Sequence, residues 1–191
     1  MRPFLVKPFL CALPLALVFP AAARAALSAS ASLTSTFNGT NWHYDATLQD
    51  TGDTDVGTFW YAWVPGKDFL QTSPTNIQSP FGWTSTVTHF PDSPTNGYAI
   101  QWKVDGDDVY DLLPGESFAG FSFDTPDSPT QLAGDSTFYS GTPTGTSFVY
   151  SGAPFSDAGF QFVAAPATPA PEPASLGLLS LGMLMLVRRK R

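Results

Sequence analysis

The chain has 191 residues, with 16 Asp or Glu against nine Lys or Arg, for a net charge of −7. The imbalance sharpens between residues 26 and 165, where 15 acidic side chains meet only Lys67 and Lys103, a net charge of −13. So negative a surface repels phosphate backbones and excludes nucleic acid as a partner. The length of that span suits one ordinary domain between two specialised ends.

Residues 1–25 have the layout of a secretory signal peptide. Arg2 and Lys7 form a basic start, "FLCALPLALVFPAAA" is the apolar middle, and Ala23-Arg24-Ala25 places small residues at −3 and −1 for a cut before Ala26. A cut after Ala23 is the runner-up. Pro8, Pro14 and Pro20 disfavour a buried N-terminal helix. The single cysteine, Cys11, falls inside the signal, and Phe9-Leu10 before it lacks the small residue of a lipid-modified site. The mature chain therefore uses no disulfide in a compartment that permits them, and packing alone must hold it.

From residue 26 the apolar pattern has period two, which predicts strands. In "WHYDATLQ" Trp42, Tyr44, Ala46 and Leu48 share one face, with His43, Asp45, Thr47 and Gln49 on the other. "GTFWYAWV" places Phe59, Tyr61 and Trp63 against Trp60, which suits a strand buried on both faces. Then come "GWTSTVTHF", "YAIQWKV", "SFAGFSF", "TSFVYS" and "FQFVA". Asp105-Gly106 after "YAIQWKV" predicts a two-residue hairpin that would set Lys103 opposite Asp108 and Trp102 opposite Val109. "SPT" at 73, 93 and 128 and "TPT" at 142 are too unevenly spaced for a structural repeat and predict loops. The expected fold is all-β, an antiparallel β-sandwich over 26–165, with a barrel as the alternative.

Alanine and proline then alternate, predicting an extended, non-packing linker over 166–173 that carries Pro171-Glu172-Pro173. Ala174–Val187 is a 14-residue apolar run, expected to form the chain's single apolar helix. At about 1.5 Å per residue it reaches roughly 21 Å, short of a hydrocarbon core about 30 Å thick. It suits a temporary stop better than a permanent anchor. Arg188, Arg189, Lys190 and Arg191 close the chain as a cytoplasmic basic tail.

Chemistry-bearing patterns in the middle are few. "PGESFAG" starts like a nucleophile elbow, but Ala119 stands where G-x-S-x-G needs glycine. His43 and His89 give neither a triad nor a zinc spacing. The chain reads as no enzyme, with a secreted hydrolase as a remote alternative. Two acidic runs, Asp50, Asp53 and Asp55, then Asp105, Asp107, Asp108 and Asp111, are turn residues that offer at most weak Ca²⁺ ligation. No other cofactor is expected. Trp60, Trp63 and Trp83 raise a carbohydrate-binding module as the main alternative, against burial of these aromatics in the core.

With both ends read, the tail resembles the PEP-CTERM sorting signal of Gram-negative bacteria that make exopolysaccharide. Its matching residues are Pro171-Glu172-Pro173, the run Ala174–Val187 and Arg188–Arg191. The middle is similar to one subgroup of such ectodomains through "GTFWYAWVPGKDFLQTSPT", "GYAIQW", "LLPGESFAGFSF" and "SFVYSGAPFSDAGFQFVA". The resemblance implies a substrate of an exosortase, a membrane protease-transpeptidase that cuts near Pro-Glu-Pro. It implies transient anchoring in the membrane, then delivery to the cell surface or extracellular matrix alongside exopolysaccharide.

Overall fold

The computed structural model describes residues 26–89, 96–106 and 108–169. Twelve strands follow in order: β1 (Ala29–Phe37), β2 (Trp42–Asp50), β3 (Thr58–Tyr61), β4 (Trp63–Val64), β5 (Lys67–Asp68), β6 (Thr75–Gln78), β7 (Trp83–Thr88), β8 (Ala99–Val104), β9 (Ser117–Thr125), β10 (Thr146–Tyr150), β11 (Phe160–Val163) and β12 (Ala165–Pro169). They build two five-stranded sheets, β12-β1-β2-β9-β6 and β11-β10-β3-β8-β7, with β4 and β5 as a small ribbon. All pairings are antiparallel except β12 against β1.

The two sheets close face to face on aromatics. Tyr44, Ala46 and Leu48 of β2 point inward as their alternation predicts, and Ala29, Ala31 and Leu33 of β1 join them. Phe121 on β9 is the hub, with ring centroids 5.6 Å from Phe59, 5.4 Å from Trp102 and 5.2 Å from Trp83 across the interface. Offset and edge-on contacts of this kind suit the ring quadrupoles. Polar tips of the buried rings find carbonyls: Trp102 Nε1 donates to Gln78 O at 2.9 Å, Trp83 Nε1 to Tyr110 O at 2.9 Å, and the Tyr44 hydroxyl to Asp127 O at 2.6 Å. Burying these side chains therefore leaves none of those donors unpaid in hydrogen bonds.

Two interruptions of the period-two pattern decide which residues reach this core. Ala119 and Gly120 together oppose the single residue between Ala46 and Leu48, a bulge with Gly120 at φ +97°. The extra residue brings both Phe118 and Phe121 to the inner side. The "SFAGFSF" stretch is thus a bulged strand, and no helix follows Ser117 as a nucleophile elbow would require. In β3–β4 the break is Ala62, at φ +59°. It carries Trp63 away from Phe59 and Tyr61 and onto the side of Trp60, opposite to the face expected from strict alternation.

The hairpin expected at Asp105-Gly106 does not form. Both edges of β8 are occupied, by β3 on one side and β7 on the other. Trp102 therefore pairs with Phe59 and Ser85, and Lys103 with Thr58 and Thr84. The chain turns instead into a short 3-10 segment, Asp108–Tyr110, that leaves Val109 exposed. The Ser-Pro-Thr at 128 opens a single-turn helix, α1 (Pro129–Ala133), through a capping box between Ser128 and Gln131. The Ser-Pro-Thr at 93 lies outside the described residues.

The last strand also departs from expectation. After β11 the chain crosses at Ala164 to the other sheet, and Ala165–Pro169 adds to the edge of β1, with Ser32 opposite Ala165 and Ser35 opposite Pro169. Prolines are tolerated there because an edge strand has one side free of partners. The sandwich thus takes in the start of the Ala/Pro segment that the composition marks as linker. Pro171, Glu172, Pro173, the apolar run and the basic tail lie outside the described residues, as does the signal segment. Among the described residues no helix is long and apolar enough to cross a membrane.

Candidate functional site

The two acidic runs, some fifty residues apart in sequence, meet at one end of the sandwich. A bridge between Val56 and Leu112 joins the loop after β2 to the segment before β9, with Val56 N donating to Leu112 O at 2.9 Å and the reverse bond at 2.9 Å. Asp50, the last residue of β2, is fully buried; its Oδ1 accepts from Gly52 N at 2.8 Å, while its Oδ2 has no hydrogen-bond partner. Burial raises its carboxyl above the usual range, and the charges of Asp55 and Asp53 add to the rise. Asp111 is pushed up to about 6, by burial first and then by Asp108 and Asp55. Beside it a cleft of about 280 Å³ is lined by Lys103, Asp108 and Asp111.

Repulsion is what these carboxylates share. Among the described residues no three acidic or histidine side chains converge closely enough to hold a metal ion. Asp53 adds its charge to the field on Asp50, and Asp107 lies outside the described residues. The loops bring the charges into one neighbourhood without pointing them at one centre.

The tryptophans considered as a sugar platform are buried. Trp83 is 5% exposed and sits in the main core. Trp60 and Trp63, 6% and 2% exposed, lie on the outer side of the second sheet and stack on each other, with centroids 3.7 Å apart and planes 1° from parallel. Phe148 and Tyr150 complete this second cluster, and Phe155 covers it from the loop after β10, edge-on at 5.9 Å from Trp60 and 5.8 Å from Trp63. Asp157 clasps that loop, accepting from Ser151 N at 2.8 Å and Gly159 N at 2.5 Å. The indole faces are spent on one another, which removes the flat exposed ring that stacking on a sugar needs.

The first sheet carries a polar network on its outer face. His43 Nδ1 donates to Asp124 Oδ1 at 2.6 Å, its Nε2 lies 3.4 Å from Asp45 Oδ1, and Asn76 Nδ2 donates to Asp124 Oδ2 at 2.7 Å. The hydrogen bond with Asp124 is the largest cause of a His43 pKa raised above 6.5; burial opposes it and Asp45 supports it. Burial pushes Asp124 up, but the bonds from Asn76 and His43 outweigh this and leave it low. With a carboxylate on each ring nitrogen, His43 is suited to hold a proton and poorly suited to take one from a nucleophile.

Ser117 stands far from that histidine. It pairs with Gln49, whereas His43 pairs with Asp124 at the other end of the same strand pair. Six residues of strand separate the two positions, about 20 Å. His89 follows the end of β7, with Nδ1 bonded to Gly97 O at 2.7 Å and its ring stacked on Tyr98. His43 and Asp45 were legible as neighbours on one strand face, whereas the pairing of His43 with Asp124 and the joining of the two acidic runs had no signal in the sequence, because each depends on pairings between distant segments.

These features define an all-β, two-sheet protein with an acidic end, a polar outer face and an aromatic outer face. No family model matches the chain, and no curated protein matches it. Among solved structures it is similar to an uncharacterized protein from Nocardia farcinica with an immunoglobulin-like fold, at 12% identity and a TM-score of 0.43 over 75% of this chain and 91% of that one. It is also similar to a biomass-sensoring module of Clostridium thermocellum described as resembling family 3 carbohydrate-binding modules, at 12% identity and 0.41, covering 75% and 99%. A carbohydrate-binding module of Ruminiclostridium thermocellum follows at 13% and 0.33, covering 51% and 70%. No residue role in this chain follows from likenesses at that level.

Proposed function

We propose that this chain is an exported protein, sorted through its tail and delivered to the cell surface or extracellular matrix in association with exopolysaccharide. The observation that carries the reading is the order of the last 21 residues: Pro171-Glu172-Pro173, an apolar run of 14, then four cations. The signal peptide starts translocation, and the apolar run halts it. Leucines 176, 178, 179, 181, 184 and 186 favour lipid by a few tenths of a kcal/mol each, while Arg188–Arg191 resist crossing. An exosortase-type membrane protease then cuts near Pro-Glu-Pro.

The fold supports this reading by supplying a cysteine-free β domain whose main core is packed between its own two sheets. Since β12 runs parallel to β1, the chain leaves the sheet at the Phe37 end, opposite to Ala26. Only Ala170 separates Pro169 from Pro171, so the protease works within a residue or two of the domain, roughly 3.5 Å per residue. Pro171→Ala with Glu172→Ala leaves export intact and blocks processing, so that uncut protein accumulates in the membrane fraction. Unchanged processing of that variant in the native host would defeat the reading.

A further inference from the structure

We infer that Asp53 is the seat of the mature chain's own α-ammonium, so that removal of the signal segment before Ala26 puts a cation into the acidic loop 50–55. The inference rests on the export reading above and names the partner of the terminus that export creates.

The geometry around Ala26 is that of a built site. Ala26 N donates to Asp53 Oδ1, and Asp53 N donates back to Ala26 O at 3.1 Å. Thr51 N donates to Ser28 O at 2.9 Å, and the Ser28 and Thr51 hydroxyls bond at 2.8 Å. Residues 26–28 are thus laced to the loop 51–53 before β1 begins. Gly52 makes this approach possible: a Cβ there would fall 2.2 Å from Ala26 O and 2.7 Å from Ser28 N. The close passage leaves a bare backbone as the only residue that fits.

Charge gives the second argument. The loop presents Asp50, Asp53 and Asp55, and neither it nor residues 26–29 contain a lysine, arginine or histidine. Asp50 is fully buried with Oδ2 unpartnered, and Asp53 and Asp55 both act on its charge. From the neighbouring loops, Asp157 shares a surface hollow with Leu27 and Thr54, and the charge of Asp55 acts on Asp111. Every acid facing this corner carries the same sign. In the unprocessed chain the Ala26 nitrogen is a peptide amide, a neutral donor. Hydrolysis of the Ala25–Ala26 bond adds water across it, leaves a carboxylate on Ala25 and turns the same nitrogen into an ammonium. Its bond to Asp53 then becomes charge-assisted, the shorter and stronger kind, and it offsets the repulsion among the carboxylates. The 50–55 run is accounted for by the chain's own terminus without calcium.

An α-amino group beside carboxylates has its pKa raised above the ordinary 7.7–8.0. The test is pH-dependent labelling of the α-amino group in mature protein purified from its native host, at low ionic strength because exposed pairs are screened by salt. With Ala26 as first residue, labelling at pH 7, below the α-amino pKa, should be roughly threefold slower than in Asp53→Asn, a pKa difference of about half a unit. Asp45→Asn, on the outer face of the first sheet, should label like the parent. Equal rates in parent and Asp53→Asn, with Ala26 confirmed as first residue, overturn this inference and leave the export reading standing. A first residue other than Ala26 overturns this inference alone, since a cut after Ala23 is still export.

Discussion

The outer faces of the two sheets arise from the same alternation and end in opposite states. On the first sheet Ser30, Ser32, Thr34 and Thr36 of β1 stand in solvent beside Asp45, Thr47 and Gln49 of β2. On the second, Trp60, Trp63, Phe148 and Tyr150 would be exposed if the sheet were bare, and the loop carrying Phe155 covers them. One face is finished by its own side chains. The other needs a second layer, and its clasp is Asp157. The contrast teaches that a two-sheet fold without disulfides can extend its apolar packing beyond the central interface, at the cost of holding a loop in place.

Breaking the covered face should have the largest effect. Trp63→Ala removes one partner of the stacked pair from a buried site and should cost about 3–5 kcal/mol, read by chemical denaturation. A loss below about 1 kcal/mol would mean that the aromatic cover adds nothing to the fold.

The polar face should break more gently and with a pH signature. Asp124→Ala strands His43 and Asn76 and should cost about 1–3 kcal/mol near pH 6. The sign follows from the two shifts. His43 is raised, so its share is fully present below 6.5 and fades as pH rises through its folded value. Asp124 is lowered, so its share is present above 3.8 and fades as pH falls through its folded value. The difference between parent and variant should therefore be largest between those limits and shrink above pH 7. A difference that grows toward pH 9 would contradict the pairing.

Phe155 sharpens the comparison at smaller scale. It is 64% exposed and holds φ +66°, a region unfavourable for a bulky side chain. Phe155→Ala should lose about 1 kcal/mol of ring contact, and Phe155→Gly should lose less because glycine accepts that φ without strain. The reverse order in thermal unfolding would remove the strain argument. Smallest of all, Thr34→Ala on the polar face should stay within about 0.5 kcal/mol of the parent.

What the sequence revealed divides along the same lines. β2 was legible because its large apolar residues alternate with polar ones without interruption. β1 was not, since "ASASLTSTF" alternates small residues with serine and threonine and carries little hydrophobic contrast. Strict alternation put Trp63 on the wrong face because one left-handed residue, Ala62, shifts the phase, and nothing in alanine signals that conformation. Asp105-Gly106 looked like a hairpin because its rule is local; the competition for both edges of β8 comes from β3 and β7, far away in sequence. The acidic runs were visible as composition, yet their meeting depends on the Val56–Leu112 bridge and their relation to Ala26 on a close approach at Gly52.

The central claim concerns what happens to the two ends of the chain, and intact-mass spectrometry of the protein recovered from its native host tests it directly. The account predicts a first residue of Ala26 and a last residue at or beside Pro171–Pro173, with Ala174–Val187 and Arg188–Arg191 gone. A surface-located protein that still extends to Arg191 would contradict it.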